Sequence, residues 1–212
     1  MPDLESPSHP ASNPGSKPRI AAVILAAGAS ARLGQPKQLI QVAGESLLRR
    51  TARLAVEAGC APVFAVLGYE AARIRVELDG LAVQVVVNEE WSEGMGASLR
   101  CGAAAASPFH RESAGILVLV CDQPLLTREH LQNLIDRHTR GTASITASLY
   151  AGQAGVPAVF AAQLLPELLV AEGDRGARNL IRQFASQVQT AAWPDGALDV
   201  DFPEQLQGWV AP

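Results

Sequence analysis

Several charged residues stand where charge is costly unless it is used. Arg32 and Lys37 are spaced around Gly28 and Gly34 in the stretch LAAGASARLGQPK, where an apolar run, 20–25, stops abruptly. Asp122 directly follows the apolar run GILVLVC. Asp199 and Asp201 stand two apart in LDVDFPEQL. Cations on a glycine-rich loop together with isolated carboxylates would suit a bound phosphate and a metal ion, the parts that phosphoryl-type transfer uses. That chemistry needs positioning and charge neutralisation more than a covalent intermediate.

The loop offers backbone N–H groups from Ala27 through Gly34, and glycine lets such groups approach an oxyanion closely. Arginine grips phosphate oxygens as a fork, and lysine acts as a compact charge. The alternative is a polar turn with solvated charges. The loop is neither GxxxxGK[ST] nor GxGxxG, so the two familiar phosphate loops are excluded. A carboxylate at the end of an apolar run, like Asp122, needs solvent or a cation. Magnesium bridging it to a phosphate would suit. The other reading is a cap on the helix that begins at Thr127, against which Pro124 argues. In an extended segment Asp199 and Asp201 point the same way. They complete a metal site with Asp122 or form a polar strand edge. EGDRGAR, 172–178, reads as a turn opening a helix, attractive to anions or simply capped.

Elements must bring these segments together. Strands are predicted at 20–25, 61–67, 83–87 and 115–121, and helices at 46–58, 70–78, 96–106 and 127–138, with Thr127 as N-cap. Alternating strands and helices predict an α/β fold: a three-layer, doubly wound, mostly parallel sheet, Rossmann-like. GILVLVC suits a central strand buried on both faces. Strands at 144–150 and 156–160 joined by AGQAG, helices at 163–170 and 176–184, and short strands near Val188 and Leu198 complete the expectation. In open α/β sheets ligands sit beyond the carboxyl ends of the strands. Three unusual segments follow strands directly: AAGASARLGQPK, NEEWSEGMGAS and DQP. They should meet at one edge.

The 212-residue chain is 48% hydrophobic and 18% charged, with net charge -4. One domain over 19–212 is expected, preceded by a disordered Pro/Ser-rich leader at 1–18. No basic stripe exists for nucleic acid, and no run approaches the roughly 18 apolar residues of a membrane helix. Cys60, Cys101 and Cys121 form no CxxC pair. They read as buried thiols in a reducing, cytoplasmic setting, with a reactive Cys121 as the weaker option. His130 and His138 are expected as solvated histidines on a polar helix, too far apart for a paired metal site.

LAAGASARLGQPKQL, VLGYEA, NEEWSEGMGASL, CDQPLL, GVPAVF, GDRGAR and DVDFPEQL, in this order, resemble the molybdenum cofactor cytidylyltransferase family of nucleotidyltransferases. The resemblance spans about residues 20–207. It implies that CTP binds against Leu25, Ala26, Ala27, Gly28, Gly34, Gly68 and Ser98, with Ser98 hydrogen-bonded to the base. Arg32 would hold the β- and γ-phosphates and Lys37 the α-phosphate. Asp122 would bind Mg2+ with Asp201, or Asp199, as second carboxylate. A phosphorylated acceptor, molybdopterin, would lie against Gly155, Pro157, Asp174 and Arg178, and a molybdoenzyme is the implied recipient of the product. Leu33 stands where the family often has methionine, Val156 where some members have histidine. Phe202 and Gln205 replace the threonine and second aspartate of the usual DIDTPEDL.

Other acceptors remain open: a sugar phosphate, a methylerythritol phosphate or another cofactor precursor. A non-catalytic nucleotide-binding protein is a different class, but it would not require a metal at the α-phosphate. A nicotinamide-dependent oxidoreductase would want GxGxxG and an acidic residue after the second strand, where Leu67 leads to Gly68 and Tyr69.

Overall fold

The computed structural model describes residues 19–110, 113–174 and 176–200. The expected leader, 1–18, and the segment 201–212 with Asp201 lie outside the described residues. The described residues begin with β1 (Arg19–Ala26), a small hairpin β2 (Gln41–Val42) and β3 (Glu45–Ser46), then α1 (Leu47–Glu57). There follow β4 (Val63–Leu67), α2 (Ala71–Ile74), β5 (Gln84–Val87), α3 (Met95–Ala106) and β6 (Ser113–Val120). Next come α4 (Arg128–Arg140), β7 (Ile145–Tyr150), β8 (Gln153–Ala161), α5 (Leu165–Leu169), α6 (Ala177–Gln183) and β9 (Val188–Ala192).

Among the described residues, seven strands form one sheet in the order β5-β4-β1-β6-β8-β7-β9. β1 lies between β4 and β6, parallel to both, and β4 is parallel to β5. β8 runs antiparallel to β6 and to β7, and β9 returns parallel to β7. The sheet is thus mostly parallel, as the sequence predicts, and β8 runs opposed to its neighbours.

Side chains alternate across a strand, and β1 feeds two cores. Ala22 and Ile24 point to a layer with Leu48 and Ala52 of α1 and Leu131 and Leu134 of α4. Val23 and Leu25 point to the other face, with Leu99 of α3, Leu168 of α5 and Ile181 of α6. Burial on both faces explains why β1 and β6 read as unbroken apolar runs. Ser46 caps α1 by accepting from Arg49 N (3.2 Å), and Thr127 caps α4 by accepting from His130 N (3.2 Å).

Some expectations are corrected. The helix predicted at 70–78 is one α-turn followed by a 3-10 segment, Arg75–Leu78, entered from Glu70 at φ 49°. AGQAG is not a loop: the turn is only Ala151-Gly152, both at positive φ (47° and 72°), and β8 starts at Gln153. Two left-handed residues match the twist of a tight hairpin. Leu198 is not in a strand; it caps a 3-10 turn, Pro194–Ala197. Among the described residues no helix is long and apolar enough to cross a membrane.

The two helix histidines are not solvated. His130 and His138 are both 7% exposed, packed onto β7. Ser148 Oγ gives its one proton to Pro157 O (2.7 Å), so His130 Nε2 must donate to that hydroxyl (2.8 Å). His138 Nδ1 meets Thr146 Oγ1 at 3.1 Å. Burial pushes the His130 imidazole down to about 4, and His138 down as well. The folded state therefore holds the neutral ring at a pH where the unfolded chain, at about 6.5, takes up a proton. Stability is full above about pH 6.5 and falls as pH drops toward 4. The melting temperature is expected to drop between pH 7.5 and pH 5, and His130→Gln should shrink that drop. An equal drop in the variant would assign the acid sensitivity to other groups.

Candidate active site

The loop after β1 is built around a glutamine that sequence reasoning missed. Gln38 is fully buried, and its Nε2 donates to Ala26 O (2.7 Å) and Gly28 O (2.9 Å). Its amide ties the far end of the loop back to its start. Ser30 Oγ accepts from Lys37 N (3.1 Å), and Leu33, Ile40 and Val42 anchor the loop in a small core of their own. Between them the chain makes a 3-10 turn, Ala31–Leu33, closed by Gly34 at φ 67°. Arg32 lies in that turn; its side chain is outside the described part of the structure. Lys37 opens the second 3-10 turn, Lys37–Leu39.

From there Lys37 Nζ reaches Asp122 Oδ2 at 2.5 Å. The two side chains are 22% and 17% exposed, so solvent screens the pair only partly. Asp122 is therefore paired, as a carboxylate at the end of an apolar strand must be. It does not cap α4; Thr127 does. The C-terminal segment docks beside it: Val200 N donates to Asp122 O (2.9 Å), and the Val200 side chain enters the core of Leu33, Ile40, Val42 and Leu47. With Val200 turned inward, its neighbour Asp199 faces the cavity of Lys37 and Asp122.

Two adjoining cavities share Leu25, Lys37, Met95, Val120, Asp122 and Asp174. The smaller, about 210 Å³, extends to Ala26, Ala27, Gly28, Gln38, Trp91 and Ser98. The larger, about 400 Å³, extends to Gln123, Val156, Ala177, Arg178 and Asp199. The three strand-end segments singled out in the sequence thus do meet at one edge. Ser98 is buried and accepts from Asn88 Nδ2 (3.1 Å), keeping its own O–H as a donor. Gln123 is also buried, and its Nε2 donates to Val156 O (3.2 Å) and Gly196 O (3.3 Å). It stitches the DQP segment to the hairpin and to the 194–197 turn.

Four predicted site residues lie outside both cavity walls. Gly34 sits on the exposed turn. Gly68 is a packing residue, since a Cβ there would come within 2.4 Å of Trp91 Cβ and 2.9 Å of Ala27 O. Gly155 lies beneath Tyr150, whose hydroxyl would be 2.4 Å from an added Cβ. Pro157 is buried, and its carbonyl accepts from Ser148. Burial pushes the Cys60 and Cys121 thiols up to about 12, with Asp122 adding to the effect at Cys121. A thiol so rarely ionised is a poor nucleophile, which removes the reactive-Cys121 option. Cys101 is only half-buried, against expectation.

A family profile described as the MobA-like NTP transferase domain matches residues 22–190. The chain belongs to the MobA-like NTP transferase family. It is a nucleotidyltransferase, and its sheet and flanking helices are those of that fold. A curated relative is the nicotine blue oxidoreductase of Paenarthrobacter nicotinovorans, 35% identical over 198 residues, covering 89% of this chain and 95% of that one. The crystal structure of Rv0371c from Mycobacterium tuberculosis H37Rv aligns with TM-score 0.76 and 32% identity, over 91% of this chain and 97% of that one. The structure of Rv0371c complexed with manganese gives TM-score 0.70 and 29% identity over the same shares.

Proposed function

We propose that this nucleotidyltransferase moves CMP from CTP onto a phosphorylated small molecule, with molybdopterin as the acceptor and pyrophosphate as the leaving group. The observation that carries the reading is the position of Lys37 and Asp122 in the wall common to both cavities. A reaction that joins two substrates needs its charged groups at their meeting point. The nucleoside is assigned to the smaller cavity, along Leu25, Ala26, Ala27, Gly28 and Ser98. The acceptor is assigned to the larger one, along Asp174 and Arg178.

In the proposed step an acceptor phosphate oxygen attacks the α-phosphorus. A new P–O–P linkage forms, and the bond from the α-phosphorus to the oxygen bridging to the β-phosphate breaks. The phosphate nucleophile is already largely ionised at neutral pH, so no general base is needed. Lys37 neutralises charge at the α-phosphate, and Arg32 is assigned to the β- and γ-phosphates.

The donor set fits a hard divalent cation: Asp122 and Asp199 line one cavity and offer oxygen ligands, with Asp201 following two residues on. Magnesium binds through one or two carboxylates plus substrate phosphates. When bound it would neutralise phosphate charge and orient the transferred group. The manganese complex of Rv0371c supports a divalent ion here. A cytoplasmic setting and a molybdoenzyme that receives the product belong to the same reading.

A second reading comes from the relative named as an oxidoreductase. Purified protein with CTP, magnesium and molybdopterin is expected to release pyrophosphate and to yield a product heavier by one CMP. A parallel incubation with NADPH and NADH should show no acceptor-dependent loss of reduced cofactor. Cofactor oxidation without pyrophosphate release would replace the first reading with the second.

A further inference from the structure

A third cavity of about 210 Å³ opens beyond the larger one and shares Arg178 and Asp199 with it. Its walls include Tyr150, Gln153, Arg182 and Gly196. Arg178 and Arg182 are four residues apart on α6, so they share a face. Ala177, Leu180 and Ile181 hold the opposite face of that helix in the core. Like charges at this spacing repel each other. Arg53, Arg73, Arg100, Arg128 and Arg140 each meet a carboxylate, while Arg49 and Arg50 donate to backbone carbonyls. Among the described residues neither Arg178 nor Arg182 forms an ion pair.

Arg178 is also oriented. Its Nη2 meets Tyr150 Oη at 3.5 Å, while that hydroxyl donates to Val156 O (3.0 Å). The Tyr150 ring is fixed by an edge contact with Trp193 (6.0 Å), which stacks on the buried His130 (4.6 Å). Glycine at 155 leaves room for the hydroxyl. The half-buried Tyr150, backed by the buried Trp193 and His130, thus places one exposed guanidinium in the partition between two cavities, with a second exposed guanidinium lining the cavity beyond.

We propose that Arg178 and Arg182 form a second anion subsite, across Asp199 from Lys37 and Asp122, so that the acceptor carries a further negatively charged group beyond its reacting phosphate. This rests on the nucleotidyl-transfer reading and narrows its acceptor class to molecules with two separated anions. Two guanidiniums can grip such a group by forked, charge-assisted hydrogen bonds.

The test uses glucose 1-phosphate and glucose 1,6-bisphosphate as probes, titrated calorimetrically at one ionic strength into the full chain. The bisphosphate is expected to bind about tenfold more tightly. In Arg182→Gln the advantage should fall to about twofold or less, and Arg182→Lys should keep part of it. Equal affinities in the wild type, an advantage untouched by Arg182→Gln, or no binding of either probe would each show that these arginines only face solvent. CTP binding to the wild type with magnesium is measured separately. Its failure would remove the cytidylyl-transfer reading while the probe ratio still reports on the arginine pair.

Discussion

Asp122→Asn is expected to lower turnover at limiting magnesium by roughly 100-fold, or about 3 kcal/mol in the barrier, while the fold persists. The asparagine keeps the shape and removes the charge that would recruit a cation. Lys37→Ala is expected to cost a similar factor through loss of a preorganised positive charge at the α-phosphate. The pairing of Lys37 Nζ with Asp122 Oδ2 adds a consequence that neither residue implies alone. Each is the other's partner in a partly screened site, so the two substitutions should not add. The double variant is expected to be little worse than either single one, as for residues that act as a unit. Excess magnesium should recover part of the Asp122→Asn loss and none of the Lys37→Ala loss. If Asp122→Asn turns over normally at limiting magnesium, its carboxylate serves only to hold Lys37.

The sheet was legible because its central strands are buried on both faces and leave long apolar runs, and because Ser46 and Thr127 mark helix starts by ordinary capping chemistry. The convergence of the three strand-end loops followed from topology. The supports of the site were not legible. Gln38 in QPKQL looks like any loop glutamine, and only the path of the chain brings Ala26 O and Gly28 O onto its amide. His130 and His138 were misplaced for a similar reason. α4 has a polar composition, but the polar side chains of β7 are its partners, and Ser148 and Thr146 turn a wet-looking face into a dry one. Gly155 and Gly68 illustrate the limit of reading glycines as ligand contacts. Each instead admits a large aromatic residue, Tyr150 from the other strand of the same hairpin and Trp91 from the segment after β5. Asp199 was an undecided alternative to Asp201, and what brings it to the cavity is the neighbouring Val200, which looks unremarkable in sequence but docks in the core of the first loop.

The second large effect concerns the base. CTP is expected to be preferred over GTP by roughly 10- to 200-fold in kcat/KM, the range of about 1 to 3 kcal/mol that a small steric difference supplies in a pocket. The residue responsible is Ala27. It is 5% exposed, lines the smaller cavity with Trp91 and Ser98, and is held in place because its carbonyl accepts from Tyr69 N (3.0 Å). The wall cannot easily retreat: Gly68 packs so closely that an added Cβ would come within 2.4 Å of Trp91 Cβ and 2.9 Å of Ala27 O. A methyl on such a fixed wall narrows the slot beside the base and favours one ring over two. Ser98, whose Oγ accepts from Asn88 and keeps its O–H to donate, is expected to read the pyrimidine edge. Ala27→Gly should therefore raise kcat/KM for GTP more than for CTP and compress the preference toward unity, with the same acceptor in both assays. Equal efficiencies in the wild type, or a preference for GTP, would overturn the cytidylyl assignment. A CTP preference left intact by Ala27→Gly would keep the assignment and transfer its cause from the Ala27 methyl to hydrogen bonding at Ser98, where Ser98→Ala should then reduce it.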